Sequence, residues 1–83
     1  MAKKLKQDIS IGANLKKFRK ATGMSQDKVA AKLQVQGLDI HHKIISEMEL
    51  GRYSIQVSVL LALSDLYCVP VEDFFEGLER YTE

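Results

Sequence analysis

Apolar residues recur three and four positions apart along most of the chain. That period belongs to amphipathic helices. Ile11, Leu15 and Phe18 predict a first helix from about Ser10 to Ala21, with Lys16, Lys17 and Lys20 on its other side. Ser10 can cap its start, and Gly23 stops it in a left-handed conformation that other residues reach only at a cost. Ser25 is a good N-cap for a second helix, with Met24 and Val29 at the spacing of a hydrophobic staple. Val29, Ala30 and Leu33 form its inner face, Ala30 and Ala31 permit close helix approach, and it should end near Gln34.

Residues 34–40, Gln-Val-Gln-Gly-Leu-Asp-Ile, are longer than a tight helix-to-helix turn needs. A third helix spans about Ile40 to Leu50, begun either by Asp39 as cap or by His41 as first residue. Ile44 or Ile45, together with Met48, faces inward, which leaves His42, Lys43, Ser46 and Glu47 on the outer side. Gly51 ends it. A fourth helix covers about Gln56 to Tyr67 on the stripe Val59, Leu60, Leu63 and Tyr67, with Ser54 or Gln56 at its start. Pro70 sets the entry to a fifth, from Val71 to about Tyr81, with Glu72 and Asp73 in the first turn, where the helix dipole favours acids. Alternation of the strand kind occurs only around residues 57–59, inside a helical stripe. The pattern predicts one compact all-α bundle of five helices over residues 9–83, after a basic flexible arm over residues 1–8.

Charge changes this picture more than composition does. The chain has 83 residues, enough for one domain, and a formal net charge of +1. Residues 1–52 hold eleven of the twelve Lys and Arg against five acids, for a net +6; residues 53–83 hold Arg80 against six acids, for a net −5. A basic amino-terminal half suits a polyanion. Ordinary surface charge that happens to segregate is the plainer alternative.

Chemistry narrows the choice by exclusion. Cys68 sits between Tyr67 and Val69 and reads as a reduced core thiol. One cysteine and the adjacent His41 and His42 do not make a zinc site. Ser25, Ser46 and Ser64 have no evident histidine and acid partners, and no phosphate loop or dinucleotide glycine pattern occurs, so no enzyme and no cofactor are expected. The start Met-Ala-Lys-Lys-Leu-Lys lacks an apolar signal region, and no run approaches the length of a membrane span. A cytoplasmic protein without a small-molecule ligand is the expectation.

A third helix with a polar outer edge, set among cations, has the form of a groove reader held by phosphate contacts. Lys43 can donate to guanine, Glu47 can accept from cytosine, and Ser46 and His42 can serve either purpose. His42 can also gain charge near phosphate, so that affinity rises as pH falls. Gln26 and the backbone N–H groups of the second helix's first turn suit a phosphate. So do Arg52 and Tyr53, directly after the third helix, and more weakly Lys28, Lys16, Lys17 and Lys20. Lys3, Lys4 and Lys6 can touch backbone or minor groove, or simply solubilise the end. Arg19 and Glu49 flank core positions on two helices that should pack together, and are expected to form a partly buried ion pair. Tyr67, Phe74, Phe75, Leu78 and Tyr81 offer apolar area for a homodimer, unless all are spent on the core.

Leu15, Phe18 and Arg19, then Gly23-Met24-Ser25-Gln26, Val29, Ala30 and Leu33, then Ile45-Ser46, Met48-Glu49 and Gly51-Arg52 form an ordered series. Leu60, Leu61, Leu63, Val69, Val71 and Phe74 continue it. The series resembles the Cro/C1-type helix-turn-helix family, also called the XRE family, over residues 11–76. The resemblance implies a five-helix, lambda-repressor-like domain acting as a transcriptional regulator, most often a repressor, bound to a double-stranded DNA operator as a two-fold dimer. It places Gln26 at backbone phosphate, where it also orients the recognition side chains. It places His41, His42, Lys43, Ser46 and Glu47 at base-reading or adjacent phosphate positions, and Arg19 with Glu49 as the family's interhelical pair. The segment Gln34–Ile40 resembles that of a longer-loop subgroup. The rival reading is a protein-interaction module, antitoxin-like or adaptor, using the same face.

Overall fold

The computed structural model describes residues 4–5, 10–52 and 54–78. Four α-helices carry the architecture: α1 Gly12–Thr22, α2 Gln26–Val35, α3 His42–Glu49 and α4 Val57–Tyr67. A short 3-10 turn, Val71–Phe75, follows α4. Two strands of two residues, β1 Lys4–Leu5 and β2 Ile55–Gln56, pair antiparallel, with Lys4 opposite Gln56 and Leu5 opposite Ile55.

The helix ends follow their residues. Ser10 Oγ accepts the Gly12 N–H at 3.0 Å, and Ser25 Oγ accepts the Lys28 N–H at 3.1 Å. Gly23 closes α1 at φ 79°. At the end of α3 the Gly51 N–H reaches Met48 O and the Arg52 N–H reaches Glu47 O, a paired closure around a left-handed glycine at φ 76°. The long connection from α2 to α3 is fastened rather than loose. Leu38 N–H donates to Leu33 O at 3.1 Å, Gln34 Nε2 donates to Ile40 O at 2.8 Å, and Ile40 is buried.

One core is shared by all four helices and the 3-10 turn. Leu15, Val29, Leu33, Ile45, Met48, Ile55, Val59, Leu63 and Phe74 are its most buried side chains. Between the two isoleucines of α3, Ile45 is the inward one and Ile44 is half-buried. Phe74 meets Phe18 and Tyr67 edge to face, at centroid distances of 5.8 and 6.3 Å.

Three expectations are corrected. The fifth helix, expected from Val71 to Tyr81, is a 3-10 turn of five residues. Asn14 Nδ2 donates to both Phe74 O and Glu76 O at 2.9 Å, taking carbonyls that a continuing helix would give to its own N–H groups. Gly77 then turns left-handed. The domain is compact and all-α as expected, with four helices and one 3-10 turn, and the two-residue β1–β2 ladder is a minor addition to it. Cys68 is exposed and not in the core. It stands at φ 58° in the left-handed seat that closes α4, its N–H on Asp65 O and the Val69 N–H on Ser64 O. Tyr67 and Phe74 are core residues, so neither is available to a second subunit, while Phe75 is exposed and Leu78 half-buried. Tyr81 lies outside the described residues.

Candidate nucleic-acid interface

The site begins with a buried ion pair that sets two helices against each other. Arg19 of α1 donates from Nε to Glu49 Oε2 at 2.7 Å and from Nη2 to Oε1 at 3.1 Å. Its Nη1 donates to Met24 O at 3.0 Å, holding the turn before α2. Gln26 Nε2 adds a bond to Glu49 Oε1 at 3.0 Å. One carboxylate on α3 therefore ties α1, the turn and the start of α2. The hydrogen bond to Glu49 raises the Arg19 pKa against the opposing effect of burial, so the guanidinium stays charged. For Tyr67 burial acts in the other direction and pushes the phenol well above its ordinary value.

Gly12 lets α1 come close. A methyl group there would collide with the backbone carbonyl of Glu49. Glu49 thus meets α1 twice, through its side chain at Arg19 and through its main chain at Gly12.

On this mount α3 turns one edge outward. His42 and Lys43 are exposed, and Ser46 and Glu47 are half-buried beside them. Ile45 and Met48 anchor the opposite edge in the core. His41 is the exposed N-cap residue of α3, with no capping bond from its side chain. Its Nε2 lies 3.6 Å from Asp39 Oδ1, too far for a hydrogen bond. Of the other expected contacts, Gln26 is half-buried, and Lys28 and Arg52 are exposed. Lys16 and Lys20 are exposed on α1, and Lys17 Nζ sits 4.9 Å from the Phe18 ring centroid. Tyr53 lies outside the described residues, as do Lys3 and Lys6.

Two site features escaped the sequence reading. Asp27, in the first turn of α2, meets the outer edge of α3, its Oδ1 3.2 Å from His42 Nδ1. Together with Arg19, Ser25 and Gln26 these two residues line a shallow recess between the starts of α2 and α3. Gln26 spends one amide N–H inward on Glu49. The acid in the first turn was visible as a helix preference, but its partner depends on how two helices cross. Among the described residues no group of His, Cys, Asp and Glu could hold a metal ion. Among them, too, no helix is long and apolar enough to cross a membrane.

Residues 10–74 match the family described as the helix-turn-helix domain. No curated protein and no solved structure matches the chain.

Proposed function

The chain belongs to the helix-turn-helix domain family, a family of non-catalytic DNA-binding modules, and from that membership we propose that it is a small repressor occupying a double-stranded operator. In this reading α3 enters the major groove. His42, Lys43, Ser46 and Glu47 read bases, while Gln26, His41, Lys28, Arg52 and Tyr53 meet phosphates. The basic lead over residues 1–8, of which Lys4–Leu5 pairs with Ile55–Gln56, adds positive charge to the binding domain of residues 9–83, and the protein works in the cytoplasm. The observation that carries the reading is the exposed polar edge of α3 on a buried, three-way ionic mount.

Two copies bind a two-fold operator, meeting through Phe75 and Leu78, the apolar residues near the carboxyl end that the core leaves exposed or half-covered. Phe75→Glu should then lower affinity for a two-half-site duplex at least ten-fold and leave affinity for a single half-site within two-fold. Equal effects on both duplexes would remove this interface.

Selection of bound duplexes from a random pool tests the assignment. Lys43→Ala should cost about 1–3 kcal/mol of discrimination at one base pair. Gln26→Ala should weaken all sequences alike. If neither variant changes binding, the reading surface lies elsewhere on the domain.

A further inference from the structure

We propose that Leu50 is a base-reading residue that selects thymine through its methyl group, roughly one or two base pairs beyond the pair that Glu47 meets. This rests on the operator-binding reading and deepens it.

Leu50 continues the backbone of α3 by one residue, at φ −85° and ψ −3°, and its N–H donates to Ser46 O at 3.0 Å. Gly51 then turns the chain away. Lys43, Glu47 and Leu50, spaced four and three residues apart, therefore share one helical face. Ile45, Met48 and Glu49 hold the opposite face in the core. Leu50 is 60 % exposed. A lone exposed leucine is ordinary on a protein surface. This one stands outside the core and in line with the groups assigned to the bases. Lys43 can donate a hydrogen bond and Glu47 can accept one, whereas the Leu50 side chain can do neither. The exposed apolar residues Val35, Leu61 and Phe75 lie on α2, α4 and the 3-10 turn, away from this face.

The thymine methyl is the apolar group displayed on the base edges of the major groove. Covering it with leucine takes apolar surface from water on both sides. The amino and carbonyl groups of the other bases would instead lose water to a side chain that returns no hydrogen bond. The signal is readable from a duplex, because A·T and T·A carry the methyl on opposite strands and G·C pairs carry none. A helix rises about 1.5 Å per residue, so Leu50 lies about 4.5 Å beyond Glu47 along the axis, against a base step of about 3.4 Å. With α3 lying in the groove, Lys43, Glu47 and Leu50 meet the operator in that order.

The test begins with duplex selection by wild type and Leu50→Ala. The position whose preference changes between them is then made thymine, uracil, cytosine or 5-methylcytosine in otherwise identical duplexes. Uracil keeps every hydrogen bond of thymine and lacks only its methyl. Wild type should bind the thymine duplex about three- to five-fold more tightly than the uracil duplex, the value of burying one methyl group. It should likewise bind 5-methylcytosine better than cytosine. In Leu50→Ala the thymine-to-uracil ratio should fall below about 1.5-fold. Each ratio is taken within one variant, so any change in folding cancels. The pair whose preference changes in Glu47→Gln should be a different one, to one side. A thymine-to-uracil ratio near one in wild type, or a methyl effect that survives in Leu50→Ala, overturns the proposal. So does an equal loss on every sequence in Leu50→Ala, which would put the side chain against the sugar–phosphate backbone. If wild type selects no sequence at all, the operator reading fails and this proposal falls with it. A wild type that selects while Leu50→Ala selects identically fails the proposal alone.

Discussion

Arg19 and Glu49 show how much a small domain can hang on one pair of charges. Both are buried, and the Glu49 carboxylate accepts three hydrogen bonds. Arg19→Ala leaves that carboxylate buried with the Gln26 amide as the last of those three donors, and should cost about 3–5 kcal/mol in urea unfolding. Arg19→Met with Glu49→Leu should recover much of the loss, because the uncompensated charge is gone. A single-variant loss below about 1 kcal/mol would mean that the pair behaves as a surface bridge. Tyr67 gives a prediction in pH. Its folded pKa is raised by burial, so the unfolded chain ionises first, near pH 10. The stabilisation is complete below that pH and drains above it, by up to about 1.4 kcal/mol per pH unit. Thermal melts from pH 8 to 11 should fall along this slope in wild type, and less steeply in Tyr67→Phe.

Among the elements, the close approach of α1 and α3 at Gly12 is the most demanding contact. Gly12→Ala should destabilise by about 1–3 kcal/mol through overpacking, outweighing the roughly 1 kcal/mol that alanine adds to a helix. Hydrogen exchange should quicken first in α3. Equal or greater stability would mean that the two helices separate at no cost. The four α-helices were legible in the chain because each joins an apolar stripe to a local stop or start: Ser25 before α2, Gly23 after α1, Gly51 after α3. What was not legible depends on distant partners. The last element is a 3-10 turn because Asn14, sixty residues earlier, claims its carbonyls. A two-residue ladder has no period to detect. Cys68 looked like a core thiol from its apolar neighbours, yet it fills a left-handed seat usually given to glycine. In the candidate site, the outward edge of α3 was readable from Met48 with one of two isoleucines, and only the packing shows that Ile45 is the inward one. The His42 contact with Asp27 was not, since it joins two helix starts fifteen residues apart.

At the scale of the whole molecule, charge is divided along the sequence. The net +6 of residues 1–52 includes the exposed Lys28, Lys43 and Arg52. Binding to random duplex DNA should therefore weaken steeply with salt, with a log–log slope of about −3.6 to −5.4 for roughly four to six neutralised phosphates. A slope near zero, or no binding at low salt, would favour the rival protein-interaction module. The ionic mount has a further consequence. Arg19, Glu49, Gln26, Met24 and Gly12 build it, and none of them is His42, Lys43, Ser46 or Glu47. Those four side chains form an exchangeable cassette: a library randomised at them should yield mostly intact proteins, and retargeting the domain to a chosen sequence becomes a matter of swapping tips while the handle is left untouched.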